Sequence, residues 1–161
     1  MSSLKPGNES RAPAALPRYL RSGVRSTREA LSYLRRHGVP EYRAQRLIAA
    51  YQGRGALDDR VAARLWAEHW ARQGHAAAAV RLKLAAKGFA DDLIDATIAR
   101  YVPPADDEAR ARGLVSQHLA RAADRRTRTR LARTLASRGF DPDVIERVLA
   151  ESVGSADPDA D

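Results

Sequence analysis

The chain contains no cysteine, and its 161 residues include one methionine, two tryptophans and two phenylalanines. Without cysteine there is no disulfide framework, no thiolate zinc site and no thiol nucleophile, and the composition suits a reducing compartment. Valine and isoleucine together number 13 against 32 alanines, and aromatics make up 6%. Strands draw on β-branched and aromatic side chains, whereas Ala, Leu and Arg enter helices at little cost. The balance therefore predicts an all-α protein. No stretch approaches the roughly 20 apolar residues of a membrane-spanning helix, and the N-terminal region has no signal-peptide core. The expectation is a cytoplasmic protein with no membrane partner.

Acids are outnumbered. The chain carries 20 Asp+Glu against 28 Lys+Arg, 25 of them Arg, for a net charge of +8. Such a balance points to a polyanionic or acidic-surfaced partner. The charge is uneven: residues 1–36 carry a net +6, 37–74 +2, 75–102 +1, 103–140 +5 and 141–161 −6.

Helix punctuation is frequent along the chain. Residues 1–17, with Pro6, Gly7, Pro13 and Pro17, read as a flexible leader, and residues 152–161 as a disordered acidic tail. Ser26-Thr27-Arg28-Glu29 is a capping box that opens a helix, and Gly38 closes it. Asp58 or Asp59 caps a helix over about 59–72 whose apolar face holds Val61, Ala62, Leu65, Trp66 and Trp70. Further helices are expected over about 76–87, 91–101, from 106, over 125–138 and from Asp141-Pro142 through Ala150.

Three segments share one template. Leu34-Arg-Arg-His37-Gly38-Val39, Leu84-Ala-Ala-Lys87-Gly88-Phe89 and Leu135-Ala-Ser-Arg138-Gly139-Phe140 align on their glycines, which lie 50 and 51 residues apart. The match continues downstream through Ala44, Ile94 and Ile145, then Ile48, Ile98 and Leu149. A period near 50 with two matched helices and a third connecting helix predicts tandem three-helix modules in an elongated, curved array. Their expected bounds are residues 18–73, 74–122 and 123–151. The basic residue before each glycine suits the negative end of its helix.

Catalytic arrangements are wanting. His37, His69, His75 and His118 show no metal-ligand spacing, and neither a Walker loop nor a dinucleotide fingerprint is present. Asp58-Asp59, Asp91-Asp92 and Asp106-Asp107 fall where helices begin, which is a capping position. Trp66 and Trp70 lie on an apolar helix face, so they read as core residues rather than base-stacking platforms. No enzyme activity, catalytic residue, metal or cofactor is expected.

What the sequence does concentrate is arginine. Arg121, Arg125, Arg126, Arg128, Arg130 and Arg133 occupy thirteen residues with one acid, Asp124. On a helix, Arg126, Arg130 and Arg133 fall opposite Leu131 and Leu135, so they face solvent or a partner. Arg28, Arg35 and Arg36 form a smaller cluster. Guanidinium forks bind carboxylates and phosphates alike, so a protein surface and DNA both remain candidates.

The run from Ser26 through Leu31 and Leu34 to Gly38, then Leu57-Asp58-Asp59 followed by Ala62 and Trp66, then Leu84 to Gly88-Phe89, and finally Leu135 to Gly139-Phe140 resembles the RecX family of bacterial recombination regulators over about residues 18–151. Val61 and Lys83 stand where that family usually has Phe and Glu. The resemblance implies a monomeric, non-catalytic regulator of tandem three-helix modules. It implies binding to the RecA recombinase on DNA and restraint of filament growth, ATP hydrolysis and strand exchange, modulating recombination and repair. The arginine clusters are then the candidate contacts to RecA or to single- or double-stranded DNA. The basic balance by itself also fits a nucleoid-type protein that binds DNA without RecA.

Overall fold

The computed structural model describes residues 11–119 and 125–154 of the chain. Among them all regular secondary structure is helical: α1 Arg11–Arg21, α2 Thr27–Arg36, α3 Glu41–Gly53, α4 Asp59–Arg72, α5 Ala77–Ala86, α6 Asp91–Tyr101, a single 3-10 turn Pro104–Asp106, α7 Asp107–Leu119, α8 Arg125–Ser137 and α9 Pro142–Gly154. Two compact units result, one of Met1–Trp66 with Leu84–Ile94 and one of Ala67–Lys83 with Asp95–Asp161.

Residues 11–17, read from sequence as part of a leader, begin α1. Residues 1–10 of the expected leader, Pro6 among them, lie outside the described residues, and Pro17 stands inside the helix without an N–H to donate. Pro13 sits in the first turn, where its missing N–H would have had no intrahelical partner anyway. Leu16 is fully buried and joins the core of the first unit with Ala30, Leu34, Val39, Ala44, Ile48 and Leu57. Tyr19 stacks on Tyr33 with ring centroids 4.2 Å apart, which attaches α1 to α2. At the other end, α9 runs to Gly154, and residues 155–161 of the expected tail lie outside the described residues.

The twelve template positions are all buried: Leu34, Leu84 and Leu135; Val39, Phe89 and Phe140; Ala44, Ile94 and Ile145; Ile48, Ile98 and Leu149. Each copy closes its helix in the same way. The amide after the glycine donates to the carbonyl of the template leucine, Val39 to Leu34 at 3.1 Å, Phe89 to Leu84 at 3.4 Å and Phe140 to Leu135 at 3.2 Å. This closure needs a left-handed residue, and Gly38, Gly88 and Gly139 have φ of 76°, 81° and 83°. In the second unit Leu131, Leu135, Phe140, Ile145, Val148 and Leu149 share a core with Ala111 and Val115 of α7.

The first turn of α2 is tied down twice. Ser26 and Glu29 form the reciprocal capping box, with the Glu29 amide donating to Ser26 Oγ at 3.1 Å and the Ser26 amide to Glu29 Oε2 at 2.9 Å. The Thr27 amide donates to Asp59 Oδ1 at 2.7 Å, while Asp58 accepts the Arg60 and Val61 amides and caps α4. The two aspartates of Leu57-Asp58-Asp59 thus serve different helices. Asp107 repeats the first role in the second unit, accepting the Ala77 amide at the start of α5 at 2.9 Å.

Candidate partner-binding surface

Helix α8 has the sequence RRTRTRLARTLAS, with no acidic residue in its first turn. Burial of Leu131 and Leu135 fixes its orientation, because at about 100° per residue those two leucines point into the core and the opposite side points out. That outer side carries Arg125, Arg126, Arg130 and Arg133, which line one open surface with Thr129 and Ser137. All four arginines are exposed. The hydroxyls of Thr129 and Thr134 donate to the carbonyls of Arg125 and Arg130, both at 3.0 Å, so the side chains between the arginines are satisfied locally.

Among the described residues, no carboxylate pairs with Arg125, Arg126, Arg128, Arg130 or Arg133, in contrast with other arginines of the same unit. Arg112 donates to Glu151 at 2.8 Å, and Arg110 donates to Asp107 at 2.5 Å. Like charges at i and i+4, such as Arg126 and Arg130, oppose helix formation by about 0.2–0.5 kcal/mol per pair, and cations at a helix N-terminus oppose its dipole. The α8 array therefore works against the stability of the helix that carries it. A surface of guanidinium forks in this state can take carboxylates or phosphates bidentately.

Arg128 lies at the edge of this surface. With Arg133 it flanks a groove between α8 and α9 floored by Ala132, Phe140, Ile145 and Leu149. Arg121, the remaining member of the cluster in sequence, lies outside the described residues.

The smaller cluster on α2 divides into separate environments. Arg35 donates to both carboxylate oxygens of Glu41, at 2.7 and 2.6 Å. That pairing holds the Glu41 carboxyl below its ordinary range and raises Arg35. The stem of Arg28 lies across Gly88, in the space a β-carbon there would occupy. Arg36 is exposed, with no ion pair to a described residue.

Sequence reasoning missed a joint built around the template turns. The hydroxyl of Ser26 donates to the Lys87 carbonyl at 2.6 Å, and Lys87 Nζ lies 3.0 Å from Glu29 Oε1 and 4.0 Å from the centroid of the Trp66 ring. The register recurs in the second unit. The Ala76 amide donates to the Arg138 carbonyl at 3.0 Å, the Arg138 guanidinium bonds the Gln73 carbonyl, and Gly139 packs against Ala79. Its signal in the sequence is the fixed offset of about 50 that relates Ser26 to Ala76 and Lys87 to Arg138.

Among the described residues, no group of three or more His, Cys, Asp or Glu side chains could hold a metal ion, and no helix is long and apolar enough to cross a membrane.

A family model described as RecX, third three-helix domain, matches residues 106–149, the stretch that holds α7, α8 and the first eight residues of α9, with the core they share. Regulatory protein RecX of Thermobifida fusca is 29% identical over 147 residues, spanning 89% of this chain and 79% of that protein. Regulatory protein RecX of Streptomyces coelicolor is 31% identical over 147 residues, spanning 88% of this chain and 77% of that protein. The crystal structure of RecX from Lactobacillus salivarius matches with a TM-score of 0.65 at 19% sequence identity, over 90% of this chain and 96% of that one, which shows the fold. Identity sustained over more than three quarters of the Streptomyces relative, together with the match of the third domain, places the chain in the RecX family of regulatory proteins, to which it belongs.

Proposed function

We propose that this chain binds the RecA recombinase assembled on DNA in the cytoplasm and restrains it, slowing ATP hydrolysis, filament extension and strand exchange, with the outer face of α8 as the principal contact. Membership of the RecX family supports the regulatory role. The observation that carries the contact surface is the set of exposed arginines, Arg125, Arg126, Arg130 and Arg133, that no described carboxylate neutralises. A nucleoprotein filament offers both carboxylates and phosphates, the two groups a guanidinium fork takes bidentately. Inhibition then follows as a population shift: a ligand that prefers one state of the filament holds it there by its difference in affinity for the two states.

Titrating the protein into RecA on single-stranded DNA tests the reading. ATP hydrolysis is expected to fall at or below stoichiometric ratios, and a chain carrying Arg126→Ala, Arg130→Ala and Arg133→Ala to inhibit less. Undisturbed hydrolysis, filament length and strand exchange would overturn it. Equal or stronger binding to bare DNA than to RecA-coated DNA would favour a DNA-binding protein that acts without RecA, the role that the basic balance also suits.

A further inference from the structure

We propose that the groove between α8 and α9 is a docking site for an amphipathic helix of a protein partner, with acids along one edge of its apolar stripe and bases along the other. The groove has a volume of about 580 Å³, ordinary for an occupied site. Ala132, Phe140, Ile145 and Leu149 floor it, Arg128 and Arg133 form its rim on α8, and Glu146 forms its rim on α9. The repeat explains why it is open. Arg81 of α5 pairs with Asp95 of α6, and Arg35 of α2 pairs with Glu41 of α3, so in each of those hairpins a guanidinium of the first helix crosses to a carboxylate of the second. Aligned on the template glycines, Ala132 and Glu146 stand at the positions of Arg81 and Asp95, and Ala136 and Pro142 at those of Arg35 and Glu41. Neither bridge can form between α8 and α9. Among the described residues, no cation pairs with Glu146 and no carboxylate pairs with Arg128 or Arg133.

Floor and rim together select the occupant. An apolar floor offers a phosphate no hydrogen bond, and the Glu146 carboxylate repels one, so the groove suits a polypeptide, whereas the outer face of α8 suits phosphate and carboxylate alike. Phe140 and Pro142 line the groove beside the turn, Arg128 and Leu149 away from it. From Arg128 to Ala136 it runs about 12 Å along α8, which matches two turns of a helix laid in it. Such a helix sets aliphatic side chains at i, i+4 and i+7 against the floor. Its acids meet Arg128 and Arg133 and its bases meet Glu146, an unlike pair of rims that fixes which way round it lies. Arg133 also lines the outer arginine face, so the two surfaces are continuous. In taking the recombinase as the source of the docked helix, the assignment rests on the function proposed above and adds to it the element that is gripped.

Ala132→Arg in the full chain sets a guanidinium opposite Glu146, as Arg81 lies opposite Asp95, and at the same time adds positive charge. A polypeptide site and a phosphate site therefore respond with opposite signs. Binding to RecA on single-stranded DNA is expected to weaken about tenfold, while binding to a short oligothymidylate holds or tightens. Tighter binding to both overturns the proposal in favour of a nucleic-acid groove, and unchanged filament affinity overturns it as well. A synthetic helix with leucines at i, i+4 and i+7, glutamates on one flank and lysines on the other probes the groove without the recombinase. It is expected to shift the amide resonances of Ala132, Ala136, Glu146 and Leu149. Glu146→Lys, at an exposed position, is expected to weaken that helix about tenfold and to bind well a second helix with glutamates on both flanks. No shifts at these residues, or no rescue by the second helix, overturns the proposal. If the synthetic helices behave as expected but the wild-type chain does not bind the filament, the docking site stands and the function proposed above fails. If the chain restrains the filament and Ala132→Arg restrains it equally, that function stands and the groove fails.

Discussion

Ser26 and Lys87, 61 residues apart, are joined by a hydrogen bond of 2.6 Å from the serine hydroxyl to the lysine carbonyl. The same hydroxyl oxygen accepts the Glu29 amide, so one buried side chain both caps α2 and holds the turn that follows α5. Ser26→Ala removes both interactions and leaves the Lys87 carbonyl without this donor. The expected cost is about 1–3 kcal/mol, read from the urea midpoint. Ser26→Thr keeps the hydroxyl and serves as the control. Equal losses in the two variants would show that the hydroxyl does not hold the joint.

The template glycines offer a comparison in which the conformational cost is shared and the packing differs. A β-carbon at Gly38 would meet nothing within 4 Å, whereas one at Gly139 would fall 2.7 Å from the Ala79 β-carbon. Gly38→Ala is expected to cost about 1–2 kcal/mol, for the left-handed conformation alone. Gly139→Ala adds overpacking against α5, about a further 1–3 kcal/mol. Denaturant melts of the two variants measure the difference. Identical losses would mean that the approach of Gly139 to α5 carries no energy.

His75 sets a pH dependence of stability. Burial, followed by the positive charges of Lys83, Arg138 and His69, lowers its pKa from the ordinary 6.5, and its Nδ1 is buried without a hydrogen-bond partner in the described structure. The unfolded chain then binds a proton more readily than the folded one. The associated stability is complete above pH 6.5 and is lost as pH falls below it toward the lower folded value. The carboxylates held down by arginine, Glu41 and Glu151, start from 4.5 and lose their contribution only at lower pH. Tm measured between those limits should therefore fall with pH in the wild type and stay flatter in His75→Gln. Parallel curves would remove His75 as the cause.

How much of this was legible in the sequence depended on how local the cause was. The capping box at Ser26, the glycine closures and the buried template positions are set within one or two helical turns, so spacing alone revealed them. The outward face of α8 followed from Leu131 and Leu135 by the same periodicity. The joints stayed hidden because their acceptors are backbone carbonyls, of Lys87 and Arg138, about sixty residues from their donors, and backbone atoms leave no compositional mark. Asp59 was readable as a cap but not as the cap of α2, since only the fold brings Thr27 to it. Arg35 looked equivalent to Arg36 until the turn at Gly38 carried Glu41 back to it. Helix α1 was concealed by its prolines, which weigh against a helix locally while the burial of Leu16 favours it.

The arginine face of α8 supplies the sharpest separation of stability from binding. Arg126→Ala, Arg130→Ala and Arg133→Ala together relieve like-charge repulsion and bury nothing new, so helicity by circular dichroism is expected to persist and Tm to hold or rise slightly. Binding to RecA on single-stranded DNA is expected to weaken. The salt dependence of that weakening identifies the group contacted. Arginines on DNA phosphates steepen the slope of log K against log salt by about 0.7 for each phosphate neutralised on a single strand, so three lost contacts flatten it by about 2. Arginines on carboxylates of the recombinase leave that slope much closer to its wild-type value, because no condensed counterions are released from a duplex or strand. A variant that binds as tightly as the wild type at every salt concentration would move the contact off α8, and Arg28 and Arg36 on α2 would become the next surface to test.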